Sequence, residues 1–170
     1  MTLPHPSAMD RAPFIARFGG VFEHSAWIAE AAWETGLGAG QDSAEGLHAA
    51  LCTVFRAASP DRQLAVLRAH PDLAGRLAVA GELTASSSAE QAGAGLDRCT
   101  PAEFARFQDL NTRYVSRFGF PFIMAVKGRS RAEILDAFGR RIDNPADIEF
   151  AAALDEVETI ALLRLKDLLP

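Results

Sequence analysis

The chain has 170 residues, of which 49% are hydrophobic and 23% charged, a composition typical of a folded globular protein. This length suits one ordinary domain, so the sequence predicts a single domain over residues 1–170. The formal net charge of −5 and the lack of a run rich in lysine and arginine argue against binding to nucleic acid.

The sequence also argues against membrane and metal chemistry. No apolar stretch approaches the roughly 20 residues needed to cross a bilayer, and the N-terminus lacks a basic segment leading into an apolar one. We therefore expect a cytoplasmic protein without membrane contact. Cys52 and Cys99 form no C-x-x-C pair, and no histidine lies three or four residues from another, so we expect no metal and no redox motif.

Helical periodicity recurs along the whole chain, whereas alternation of period two is nearly absent. The sequence therefore predicts an all-α, compact bundle of about seven to nine helices. An early helix follows Ser25 and ends before the glycines at 36, 38 and 40. The segment 43–58 carries apolar residues at steps of three and four, which predicts a second helix with one buried face.

The next helix is predicted from its ends. Ser59 suits the N-cap and Pro60 the first helical position. The helix must end near His70, because Pro71 disfavours the α conformation of the residue before it.

Two capping boxes mark later helices. Thr100 with Glu103 opens a helix expected to run to Gly119, and Ser130 with Glu133 opens another. Asn144-Pro145 precedes a final helix expected to end close to Leu169. The predicted inward face of the helix after Thr100 consists of Phe104, Phe107, Leu110 and Tyr114.

The apolar run 118–126 interrupts the helical pattern, since Gly119 and Pro121 exclude one regular helix. We predict an extended apolar segment there. Its backbone groups would need partners that helices do not automatically supply, so it is either a ligand-binding segment or a buried core connection.

Three polar features are candidates for chemistry. His70, at a predicted helix C-terminus beside a proline, suits proton transfer, although a surface helix cap is the alternative. Ser87 and Glu90 have capping-box spacing, but the poor helix formers that follow suggest side chains exposed for another purpose. Arg164 lies on the apolar stripe of the last helix, so its guanidinium needs a polar partner. Either it reaches solvent at the domain edge or forms a structural ion pair, or it binds a planar polar or anionic small molecule.

Several motifs together resemble one family. They are His70-Pro-Asp-Leu-Ala-Gly-Arg76, Leu83-Thr-Ala-Ser-Ser-Ser-Ala-Glu-Gln91, Leu110-Asn-x-x-Tyr114, Arg117-Phe-Gly-Phe-Pro-Phe122 and Ile160-Ala-x-x-Arg164-Leu. The ordered set is similar to OHCU decarboxylases, which act on 2-oxo-4-hydroxy-4-carboxy-5-ureidoimidazoline. The resemblance covers roughly residues 13–169, the expected core of the domain.

The resemblance implies decarboxylation to (S)-allantoin and CO2 in urate breakdown, without a cofactor, by a helical homodimer. It implies His70 as the catalytic proton donor, with Glu90 as a second catalytic residue. The residues implied to bind the small-molecule substrate are Pro71, Ser87, Ser88, Ala89, Glu90, Gln91, Phe122, Ile123, Met124, Ala125, Val126 and Arg164.

Two other functions remain open at this point. A helical module that binds ureides or a partner protein would show affinity without turnover. A hydrolase of the same pathway would need an activated water, for which the sequence offers neither a metal cluster nor paired carboxylates.

Overall fold

The computed structural model describes residues 4–75 and 80–169, and these residues form helices and loops without a β-strand. The all-α prediction is confirmed for this part of the chain. The described α-helices are α1 (Arg11–Phe18), α2 (Trp27–Glu34), α3 (Ala44–Ala57), α4 (Pro60–Ala69), α5 (Ala85–Gly93), α6 (Pro101–Phe118), α7 (Arg131–Arg141) and α8 (Ala146–Leu168). None of these helices is both long enough and apolar enough to cross a membrane.

The predicted helix ends agree with the observed caps. The side chains of Thr100 and Ser130 each accept a hydrogen bond from the backbone of a glutamate three residues later, and both capping boxes are complete. Gly119 ends α6 in the left-handed conformation, with φ of 78°, which glycine adopts without a side-chain penalty. Phe104 departs from the predicted inward face, because it is 38% exposed.

The chain divides into two compact units. The first comprises Met1–Ala69 and Glu158–Pro170. In it α1 packs on α2 and α2 on α3, and the buried side chains include Phe14, Phe18, Ile28, Leu47, Leu51 and Phe55.

The second unit comprises His70–Val157. Its core is an aromatic cluster around Tyr114, whose ring lies 5.5 Å from that of Phe122 and 5.7 Å from that of Phe138, between ring centroids. Phe122 and Phe138 stack at 3.9 Å. This cluster places the segment after α6 against α6 and α7.

Candidate active site

His70 begins the second unit, directly after the last residue of α4. The helix ends where the following proline requires it to. His70 is only 8% exposed, so the alternative of a surface helix cap is wrong. A buried imidazole held at a chain bend is suited to proton transfer within a protected site.

Three amide side chains bind the loop that follows His70. Gln91 on α5 donates from Nε2 to the Asp72 carbonyl oxygen (3.2 Å) and accepts at Oε1 from the Ala74 N–H (3.0 Å). Gln108 on α6 donates to the Ala74 carbonyl oxygen at 2.8 Å. Asn111, also on α6, donates to the carbonyl oxygen of the intervening leucine at 3.0 Å. We call these three side chains the amide clamp.

The clamped loop contains an unusual backbone conformation. Ala74 has φ of 50°, in the left-handed region that costs a residue with a Cβ atom about 1–2 kcal/mol. The next residue, Gly75, has no room for a side chain, since an added Cβ would lie 2.5 Å from Cβ of Asp72. Both observations indicate a loop held in one specific shape.

Asp72 is a half-buried carboxyl group two residues after His70. Burial raises its pKa above the usual range for an aspartate, because a low-dielectric environment disfavours the charged form. Asp72 was not among the predicted site residues, and its one signal in the sequence is its place in the motif that follows His70.

Helix α5 corrects one sequence interpretation. Ser87 is not an N-cap, because the N-cap of α5 is Thr84, three residues earlier, whose hydroxyl accepts a hydrogen bond from the Ser87 N–H. The expectation of exposed side chains is also wrong for Ser87 and Gln91, which are 4% and 5% exposed. Glu90 is half-buried, whereas Ser88 and Ala89 are exposed.

A cavity of about 580 Å³ lies beside this helix. Ser88, Gln91 and Ala74 contribute to its wall, so it adjoins the clamped loop. The remaining wall is mostly apolar and consists of Leu83, Ala92, Leu96, Asp97, Cys99, Pro101 and Phe104.

The predicted segment 118–126 has no regular secondary structure from residue 121 to 126. Phe122, Ile123 and Val126 are buried, while Met124 and Ala125 are half-buried. Side chains supply the backbone partners that this segment needs.

Two long polar side chains bind this backbone. Arg141 donates from Nη1 to the Ile123 carbonyl oxygen at 2.7 Å, and Glu156 accepts from the Ala125 N–H at 2.8 Å.

A buried charge network that the sequence did not predict lies behind this segment. Glu149 is fully buried and accepts hydrogen bonds from the Tyr114 hydroxyl, from Arg141 Nε at 2.8 Å and from Asn144 Nδ2 at 2.9 Å. Burial, followed by the bond to Glu149, raises the pKa of Tyr114 far above its usual range. The partners are 35, 8 and 5 residues from Glu149, and no local pattern in the sequence links them.

Arg164 belongs to the first unit. It is 7% exposed, and its Nη1 donates to Glu23 Oε2 at 2.8 Å. The expected polar partner is therefore a carboxylate that is itself 2% exposed. A structural ion pair, one of the alternatives that the sequence left open for Arg164, is therefore present.

The structure thus joins part of the predicted site. Through Gln91, α5 with its Ser87–Gln91 stretch contacts the loop after His70. Helix α6 links that loop to the 122–126 segment, because Asn111 binds the loop and Tyr114 packs on Phe122. Arg76 of the His70 motif lies outside the described residues. Within the described ranges, no cluster of three or more histidine, cysteine, aspartate or glutamate side chains is arranged to hold a metal ion.

Fold and site together define an all-helical protein with a buried histidine on a loop held by polar side chains. The sequence profile of the OHCU decarboxylase family matches residues 7–166. The chain belongs to the OHCU decarboxylase family.

Similar proteins agree with this assignment. The chain is 43% identical to a 2-oxo-4-hydroxy-4-carboxy-5-ureidoimidazoline decarboxylase of Halalkalicoccus jeotgali, over 99% of this chain and 92% of that protein. It is 42% identical to the protein of the same name from Haloferax volcanii, over 98% and 95% of the two chains. A crystal structure of (S)-allantoin synthase superposes with a TM-score of 0.75 and 31% identity, over 96% of this chain and 52% of that one.

Proposed function

We propose that this protein decarboxylates 2-oxo-4-hydroxy-4-carboxy-5-ureidoimidazoline to (S)-allantoin and CO2, with His70 as the proton donor. The observation that carries the proposal is the burial of His70 on a loop bound by α5, the helix that carries the stretch expected to bind substrate. Family membership and the names of the relatives supply the reaction and the small-molecule substrate.

The chemistry requires an acid and a shaped pocket. The C–C bond to the carboxylate breaks, CO2 leaves, and the electron pair delocalises into the ring and its carbonyl group. His70 then delivers a proton to one face of the resulting carbanion, and the choice of face determines the (S) product. The substrate's own ring accepts the electron pair, and His70 also takes the proton that the substrate hydroxyl gives up as it becomes the product's carbonyl group. Loss of CO2 from the carboxylate is then balanced by the net uptake of one proton.

Other residues hold the substrate in this proposal. Glu90 and Ser87 bind its ureido or ring N–H groups, because a carboxylate accepts hydrogen bonds and a hydroxyl group both donates and accepts. Pro71 and the remaining residues of the Ser87–Gln91 stretch line the pocket, and the Phe122–Val126 stretch contributes through its backbone. Arg164 binds an oxygen that gains negative charge, since holding the departing carboxylate itself would oppose its loss.

The test uses circular dichroism of allantoin formed from urate. Uricase and hydroxyisourate hydrolase generate the substrate, which decays to racemic allantoin without an enzyme. Wild-type protein should give (S)-allantoin at an accelerated rate, and His70→Asn should give racemate at the spontaneous rate. His5→Asn, at an exposed histidine, is the matched control and should behave as wild type. Pure (S)-allantoin at the wild-type rate from His70→Asn would refute the role of His70.

The same assay separates the two alternative functions. A binding module would retain affinity for allantoin without accelerating CO2 release. A hydrolase would consume an earlier or later pathway compound and leave this substrate to decay spontaneously.

We further propose that the chain folds as one domain, forms a homodimer and acts in the cytoplasm. These proposals rest on chain length and on the family resemblance. Calorimetry should show one unfolding transition, sedimentation should give twice the monomer mass, and fractionation of the source cells should place the activity with cytoplasmic proteins.

A further inference from the structure

We infer that Gln108 and Asn111 are positioning residues that, together with Gln91, hold His70 in its catalytic orientation through the loop 72–74. This inference rests on the proposed role of His70 and extends it to side chains that the family resemblance did not supply as site residues. The two residues act on the backbone after His70 and need no contact with substrate.

The clamp replaces the hydrogen bonds that a helix would have given this stretch. His70 follows the last residue of α4, and no regular structure continues through residues 71–75. A loop whose backbone groups are bonded by buried side chains loses alternative conformations that a solvated loop retains. Four hydrogen bonds of the clamp, at 2.8–3.2 Å, reach residues 72–74. They bind one backbone N–H group and three carbonyl groups of the chain that follows His70.

Burial of the clamp points to a dedicated role. Asn111 is 5% exposed and follows Leu110 on the inward face of α6. An apolar side chain would pack there without the cost of burying an amide. The Nδ2 group of Asn111 donates to the Leu73 carbonyl oxygen, and Gln91, also 5% exposed, makes two hydrogen bonds to the same loop.

The conformation of Ala74 is the second, independent observation. A non-glycine residue persists at φ of 50° only where its surroundings over-determine the backbone. Here Gln91 binds the N–H group of Ala74 and Gln108 binds its carbonyl group. The clamp therefore holds the loop in a shape that the chain alone disfavours, four residues after the proton donor.

The test separates proton delivery from substrate binding. Gln108→Met and Asn111→Leu remove the amide groups at similar volume. Thr112→Val is the matched control, because the Thr112 hydroxyl donates a hydrogen bond within α6, to the Gln108 carbonyl oxygen at 2.9 Å. We expect kcat to fall about 10- to 100-fold in the two clamp variants, since small displacements of a catalytic group have effects of this size. KM should change less than about threefold, because the proposed substrate contacts lie elsewhere.

Two further readouts exclude a merely structural role. The allantoin formed by the clamp variants should lose enantiomeric purity, because a mobile imidazole no longer protonates one face only. The NMR resonance of His70, assigned by its loss in His70→Asn, should broaden or shift in the clamp variants and stay unchanged in Thr112→Val. If Asn111→Leu fails to fold, Gln108→Met, at a half-buried position with one clamp bond, carries the test.

The outcomes distinguish the two proposals. Clamp variants with wild-type kcat and pure (S)-allantoin would overturn the positioning role while His70→Asn remains inactive. If His70→Asn were fully active, the proposed function of His70 would fail. Hydrogen exchange of the Ala74 amide would then decide whether the clamp holds the loop: faster exchange in Gln108→Met supports it, and unchanged exchange overturns it.

Discussion

Replacing Arg141 by methionine should destabilise the protein strongly. The change leaves the carboxylate of Glu149, which is fully buried, without the guanidinium of Arg141, whose Nη2 lies 2.6 Å from Glu149 Oε1. Breaking a buried ion pair from one side costs about 3–5 kcal/mol. The bond from Arg141 to the Ile123 carbonyl oxygen is lost as well, so the lower end of this range is the minimum we expect. With a urea m-value of about 2 kcal/mol per M, the unfolding midpoint should fall by about 2 M.

The adjacent Arg140 provides the control. Its ion pair with Asp136 joins side chains that are 69% and 65% exposed, so Arg140→Met should cost under about 1 kcal/mol. Adding Glu149→Gln to Arg141→Met should recover part of the loss, because the buried charge is removed. A midpoint for Arg141→Met within experimental error of that for Arg140→Met would refute the reasoning.

Three other predictions concern titration and the first unit. Tyr114 is the only tyrosine, and its pKa is raised in the folded state, so stability should fall as pH rises above about 10, where only the unfolded chain ionises. Absorbance at alkaline pH should show tyrosinate appearing only with unfolding. Since the pKa of Asp72 is raised by burial, Asp72→Asn should be more stable than wild type at neutral pH. The urea midpoints of the two proteins should converge in acid, where Asp72 is protonated in both the folded and the unfolded state. Glu23→Ala should cost about 3–5 kcal/mol by leaving Arg164 buried without its carboxylate, and adding Arg164→Met should recover much of that loss in the same denaturation assay.

Local sequence patterns predicted the start of a helix well where a single serine or threonine could serve as the N-cap. Thr100 and Ser130 are each followed by a glutamate at the third position, and both boxes form as expected. The pattern failed at Ser87, because Thr84 stands three residues earlier and competes for the same N-cap role. The helix continues through serine and glycine residues of low helix propensity. Ser87 and Gln91 are buried on its inner face.

The contacts that shape the site were harder to predict, because they join residues distant in the sequence. The burial of Arg164 implied a partner, but nothing local identified Glu23, which lies 141 residues away. Asn111 offered a usable signal, since an amide on an inward helical stripe needs a buried partner. Gln108 offered none, because a polar residue at the edge of that stripe is expected to be solvated.

In an all-helical protein, the backbone N–H and C=O groups beyond the helix ends need hydrogen-bond partners from elsewhere. Among the described residues, polar side chains on helices supply them at several loops, including the following three. Arg164 reaches the carbonyl oxygens of Gly20 and Val21 at 3.4 Å, the amide clamp binds residues 72–74, and Arg141 binds Ile123. Two of these loops carry residues expected to meet the substrate. Under the proposed function, the polar side chains behind them link stability to catalytic geometry, and a substitution there should alter activity even when the helices remain folded.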